Sequence, residues 1–227
     1  LWSDEEGFEA ATKKSGITGI CGSGIIEVIA EMYLAGILSS DGVIDGAMAA
    51  KSSRIVADGR TYSYVIRDGE SEIKIYQTDV RAIQLAKAAL YAGAKLLMDR
   101  LGLEAVDRIQ LTGAFGSHID TKYAMILGMI PDCALEDVQA VGNAAGVGAR
   151  IALLNNAARD EIEELVKTVE KVETAVEPKF QQYFVEAMAI PHKTAGYPNL
   201  AKAVKLPAPK VLSDGGGEGG RRRRRRA

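Results

Sequence analysis

Two glycine- and alanine-rich stretches carry the residue types best suited to hold a ligand: Leu111-Thr-Gly-Ala-Phe-Gly-Ser-His118 and Gly142-Asn-Ala-Ala-Gly-Val-Gly-Ala149. The first follows an apolar strand and enters a short helix; the second opens a helix with small residues along one side. Glycine has no Cβ, so a ligand or a second backbone can come close. A strand ending in such a turn, with helix amides exposed beyond it, can receive a phosphate or the ribose end of a nucleotide. In the first stretch Gly113 and Gly116 flank Ala114 and Phe115, where an aromatic ring could cover a planar base, and Ser117 adds a hydroxyl. Read without a ligand, the same residues make a tight strand–helix connection with Phe115 in the core. Gly142 and Asn143 are open to the same two readings, ligand contact or helix cap, and capping is the simpler account of Asn143.

A third candidate is the loop Gly19-Ile-Cys-Gly-Ser-Gly24 at a helix start, where the amides of Gly22, Ser23 and Gly24 and the Ser23 hydroxyl could hold an anion. The alternative is that Ser23 only caps the helix. On the longest helix Arg81, Gln84 and Lys87 share a face and could line a nucleotide pocket from the opposite side, with a solvated face as the default. No Ser-His-Asp or Cys-His arrangement stands out, so no catalytic residue is assigned. His118 has no second ligand near it in sequence, and no metal site is expected.

These residues sit on alternating strands and helices. A helix is expected over 23–38, strands over 61–67 and 72–76 with an Asp68-Gly69 hairpin signal, and a long helix from Thr78 as N-cap to Leu101, ended by Gly102. Then follow a strand near 106–112, a helix capped by Asp120, a short strand at 138–141 and the small-residue helix at 143–156. Further helices are expected at 157–170 and 178–188, with a strand at 171–176 between them. The alternation makes this an α/β protein. Neither a G-x-G-x-x-G turn nor a G-x-x-x-x-G-K-[ST] loop occurs, which argues against a Rossmann dehydrogenase or a Walker NTPase.

The 227 residues are 47% hydrophobic and 26% charged, ordinary for a soluble globular chain. No run is apolar for long enough to span a membrane, and two cysteines, Cys21 and Cys133, fit a reducing cytoplasm. Six of the 28 basic residues stand together at Arg221–Arg226; the remaining 22 face 30 acidic side chains, a balance of −8 that disfavours a specific nucleic-acid face. Four of the six prolines follow residue 190, so the expected division is an extension at 1–15, a folded body at 16–191 and a flexible tail at 192–227. The chain begins with Leu1 and reads as a piece of a longer protein.

With Gly19-Ile-Cys-Gly-Ser-Gly-Ile-Ile26, Gln77-Thr-Asp-Val-Arg-Ala-Ile-Gln-Leu-Ala-Lys87, Leu111-Thr-Gly-Ala-Phe-Gly116 and Val141-Gly-Asn-Ala-Ala-Gly146 in this order, the chain resembles the C-terminal region of the reductive activators of corrinoid proteins. The resemblance covers about 17–191 and implies one lobe of an actin-like ATPase domain (ribonuclease H-like), a mixed sheet flanked by helices, of the superfamily of acetate kinase, sugar kinases, heat-shock chaperones and actin. It implies that Gly113 to Gly116 match the adenosine motif and that Gly142 to Ala149 match the second connecting helix. It further implies ATP, with Mg in the full-length protein, as the nucleotide. A [2Fe-2S] cluster is implied only in a ferredoxin domain outside this chain, since its four cysteines are absent here. Implied partners are a corrinoid methyl-transfer protein, whose cob(I)alamin would be restored, and the remaining lobe and ferredoxin domain of the same polypeptide; apart from the resemblance, the apolar long helix could make a homodimer face. The two Asp-x-Gly-[Thr/Ser] phosphate segments are also missing, so the fragment alone is expected to be inactive. The alternative is a structural or dimerisation module that has the fold but turns over no nucleotide.

Overall fold

The computed structural model describes residues 7–13, 16–69, 71–116 and 118–208. After a short helix α1 (Phe8–Thr12), the loop at 16–21 enters α2 (Gly22–Leu34). Ile26, Ile29, Ala30, Met32 and Tyr33 recur at helical spacing and are buried, which makes α2 a central core helix. A 3₁₀ turn (Gly46–Ala50) leads into three antiparallel strands in order, β1 (Ile55–Asp58), β2 (Thr61–Arg67) and β3 (Ile73–Ile75). The sequence reading placed β2 and β3 and missed β1. Its signal was there, a β-branched Ile55-Val56 pair followed by Asp58-Gly59, with Gly59 at a φ of 59° in the hairpin turn. The β2–β3 register slips between Val65 and Arg67, and the Arg54 guanidinium donates to the Val65 and Ile66 carbonyls at that irregularity.

The longest helix, α3 (Gln77–Arg100), runs 24 residues. It begins one residue before the expected Thr78 cap, because the Tyr76 amide donates to the Asp79 carboxylate at 2.8 Å and so closes the first turn. Gly102, at a φ of 68°, terminates it as expected. Next come β4 (Ile109–Leu111), a single turn α4 (Gly113–Gly116) and α5 (Thr121–Ile126). Asp120 caps α5 as expected, accepting from the Lys122 and Tyr123 amides. Ala124, Met125, Ile126 and Leu127 are fully enclosed against α2.

A 3₁₀ turn (Leu135–Asp137) delivers β5 (Val138–Ala140), which pairs parallel to β4 with Ile109 opposite Val138 and Leu111 opposite Ala140. Two further helices follow, α6 (Ala144–Leu154) and α7 (Asn156–Val166). Neither contains a buried residue, and Val147, Ile151, Leu154, Leu165 and Val166 are exposed. The expected strand at 171–176 is instead irregular chain ending in a 3₁₀ turn (Thr174–Val176), since no neighbouring strand among the described residues offers it a ladder. Pro178 precedes the next helix rather than opening it, and α8 (Phe180–Glu186) is shorter than its pattern suggested.

The folded body does not end at 191. The Ile190–Pro191 bond is cis, and the chain continues through residues 192–197 into α9 (Pro198–Ala203). Tyr197 and Leu200 are buried in the same core as α2 and α5. The Tyr197 hydroxyl donates to the Ile130 carbonyl at 2.9 Å, and the Asp132 carboxylate accepts from the Asn199 and Leu200 amides. The proline density that suggested a tail instead shapes a strap closing the core. The arginine run at 221–226 lies outside the described residues.

Candidate functional site

The carboxyl ends of the two parallel strands are the best-built site. β4 and β5 are each followed by a glycine with positive φ, 96° at Gly113 and 76° at Gly142, a backbone conformation that other residues rarely adopt. The two turns are tied together: the Gly113 amide donates to the Gly142 carbonyl at 2.9 Å, and the Val141 amide donates to the Leu111 carbonyl at 2.9 Å. A helix starts within two residues of each turn glycine, α4 at Gly113 itself and α6 at Ala144. Ligands of open α/β sheets bind at this end of parallel strands, where helix amides point outward.

A Cβ built on Gly113, Gly142 or Gly19 meets no described heavy atom within 4 Å, so these backbones border open space. Gly116 differs: its Cβ would stand 3.3 Å from the Leu111 carbonyl carbon, so this glycine packs α4 back on its strand. The first stretch is thus both an open turn and a packing device. The backbone of Ala114 and Phe115 lies in α4, and Ser117 is outside the described residues. Asn143 caps α6 by accepting from the Gly146 amide at 2.9 Å, the simpler of its two readings.

In the 19–24 loop the cap is not Ser23. Cys21 occupies the N-cap position, and its sulfur accepts from the Gly24 amide and lies 3.4 Å from the Ser23 hydroxyl. The Ser23 hydroxyl and then the Gly24 amide hold the exposed Cys21 thiol below its usual pKa. Gly24 is tight, with a Cβ there coming within 2.9 Å of Ile20, whereas Gly22 is exposed at the first position of α2.

Gln84 and Lys87 do not form a solvated face; they are 2% and 1% exposed. The Lys87 ammonium donates to the carbonyls of Ala187, Ala189 and Pro191 at 2.5, 2.5 and 2.9 Å, which occupies all three of its protons. Gln84 donates to the Asp41 and Met188 carbonyls. Seven residues earlier on the same face, Gln77 donates to the Gly42 carbonyl at 2.6 Å and accepts from the Ile44 amide at 2.9 Å. Only Arg81 of the predicted trio is exposed. These side chains bind two irregular segments to α3, a role the sequence reading did not assign. Its signal was polar residues recurring at 77, 84 and 87 on the stripe that carries Val80, Ala88 and Tyr91.

His118 is exposed, and no group of three His, Cys, Asp or Glu side chains among the described residues could hold a metal ion. Two cysteines, one exposed and one buried, do not fit an iron–sulfur cluster, which needs about four thiolates. No helix among the described residues is long and apolar enough to cross a membrane.

Comparison with known proteins bears on the same region. Residues 3–201 match the family model described as the C-terminal domain of RACo, the ASKHA domain. A relative from Eubacterium limosum, the corrinoid activation enzyme RamQ, is 32% identical over 184 residues, covering 76% of this chain and 31% of that protein. A solved structure of a reductive activator for corrinoid, iron-sulfur protein is similar with a TM-score of 0.67 and 34% identity, over 77% of this chain and 28% of that one. The chain spans under a third of the length of either protein. The fold is accordingly one α/β lobe of the actin-like type, and the chain belongs to the family of C-terminal ASKHA domains of the reductive activators of corrinoid proteins.

Proposed function

We propose that this chain supplies the adenosine-side lobe of an ATP-dependent reductive activator of a corrinoid protein. The observation that carries the reading is the joined pair of glycine turns, Gly113 to Gly142, at the carboxyl ends of β4 and β5. The open backbone there admits the ribose and base of a nucleotide, and the amino end of α6 favours negative charge beside it. Gly22 and Ser23 add amides at the start of α2, a second place for an anion, while the Gly24 amide is held by the Cys21 sulfur. Gln84 and Lys87 then support the lobe from within, holding segments 41–44 and 187–191 in place.

ATP hydrolysis in the whole polypeptide would drive electrons from a [2Fe-2S] domain onto an inactive corrinoid. The names of the relatives, one a corrinoid activation enzyme and one a reductive activator, support the corrinoid part of that role, and the ATP and [2Fe-2S] parts follow from the family resemblance. This chain's own share is to bind and orient the adenosine end. The phosphate and Mg contacts would come from the part of the longer polypeptide that carries the Asp-x-Gly segments. In that longer polypeptide, Gly113→Val should raise the KM for ATP at least about tenfold, because a side chain would fill the open turn. Thermal melting run in parallel separates this from misfolding, since positive φ strains any side chain at this position. A folded variant with an unchanged KM for ATP would remove the assignment.

A further inference from the structure

The strap that closes the core is fastened at its root by one imidazole. His192 Nδ1 accepts from the Thr194 amide at 3.2 Å and the Ala195 amide at 2.9 Å. Nδ1 is therefore deprotonated, and the neutral ring carries its proton on Nε2, which is buried with no hydrogen-bond partner among the described residues. The ring lies against Tyr91 of α3, with centroids 4.6 Å apart. Immediately before it, the Pro191 carbonyl accepts from Lys87. Beyond it, Thr194 donates to the Glu186 carboxylate, and Tyr197, Asn199 and Leu200 bond to Ile130 and Asp132.

We propose that His192 is an acid-sensitive latch, whose protonation releases residues 192–204 from α3 and from the 130–132 connection that leads into β5. A proton on Nδ1 would face two amide hydrogens, so both turn contacts would be lost together. It would also place a second cation beside the Lys87 ammonium in a site with little water. The surrounding ionisable groups are Lys87, Tyr91 and Lys95 on α3, Glu186 on α8, Lys193 on the strap and Asp132 on the connection. Burial and then Lys87 hold the imidazole below its usual pKa, and only Glu186 acts in the opposite direction. The closed strap thus binds a proton less readily than the open one. The latch is at full strength above about pH 6.5 and weakens about tenfold per pH unit as pH falls from there towards the depressed value.

Hydrogen–deuterium exchange on the full 227-residue chain from pH 7.5 to 5.0, corrected for intrinsic rates, tests this. Peptides spanning 192–204 should lose protection progressively below pH 6.5, by up to about tenfold per unit, while α2 and α5 keep theirs. His192→Asn places an amide oxygen where Nδ1 stands, keeps the turn and cannot titrate, so its strap should stay protected at pH 5.0. Glu186→Gln removes the one charge that favours the proton in the closed strap, so its onset should stay near pH 6.5 and its loss of protection by pH 5.0 should be at least as large as in the wild type. Constant protection in the wild type would overturn the latch. So would an undiminished acid response in His192→Asn, or a smaller loss of protection in Glu186→Gln than in the wild type.

Discussion

Lys87 shows how differently one side chain reads in sequence and in the fold. On the sequence it is a cation three residues from Gln84 on a helix, a pattern shared by countless solvated faces. In the fold it is enclosed, and its ammonium stands among three carbonyls that have no other described donor as near. Burial lowers its pKa to about 7, against 10.5 in an exposed lysine. Lys87→Met keeps much of the side-chain volume and strands the three carbonyls, so it should lower stability by about 2–4 kcal/mol in chemical denaturation. The sign of the pH effect follows from the unfolded chain holding the lysine proton up to about pH 10.5. Between pH 7 and 10 the unfolded state binds more protons, so the wild type should gain on Lys87→Met by up to about 1.4 kcal/mol per unit. A gap that stays constant or narrows with rising pH would show that Lys87 remains charged in the fold.

Whether an element was legible depended on whether its signal was local. Asp120 before α5, Asn143 before α6 and Gly102 after α3 act through neighbours two or three residues away, and each does what its residue type suggests. The strand expected at 171–176 had the right alternation but needed a partner, and pairing is not written in the segment itself. The two glycine turns were legible as turns; that they meet, amide to carbonyl, follows only from the parallel register of β4 and β5. Gly128 combines a local and a distant demand. It stops α5 at a φ of 71°, and a Cβ there would overlap the Pro191 carbonyl oxygen, an acceptor of Lys87. Gly128→Ala should therefore cost more than a turn glycine ordinarily does, about 2 kcal/mol or more in thermal or chemical unfolding. A loss under about 1 kcal/mol would mean that the 187–191 segment can move away freely.

At the scale of the whole molecule, the last turn of chain decides where the domain ends. Composition placed the boundary at Pro191, because prolines and glycines cluster beyond it and such clusters usually mark linkers. The physics of the next residues is otherwise: Tyr197 is 6% exposed, Leu200 is fully buried, and both touch the cluster formed by α2 and α5. Proline is compatible with this because an extended strap donates few ladder bonds, and Pro198 sits at the start of α9, where its missing amide is no loss. A chain stopped after Pro191 would uncover that core and leave the Ile130 carbonyl and the Asp132 carboxylate without their donors. Burying an aromatic or a leucine is worth about 1.5–3 kcal/mol each, so truncation should remove about 3–6 kcal/mol, comparable to the whole stability of a marginal domain. The truncated chain is expected to keep a cooperative transition but melt at least about 10 °C lower. A sharp transition at the full chain's temperature would put the boundary back at 191 and would remove the strap, with its latch, from the working part of the fold.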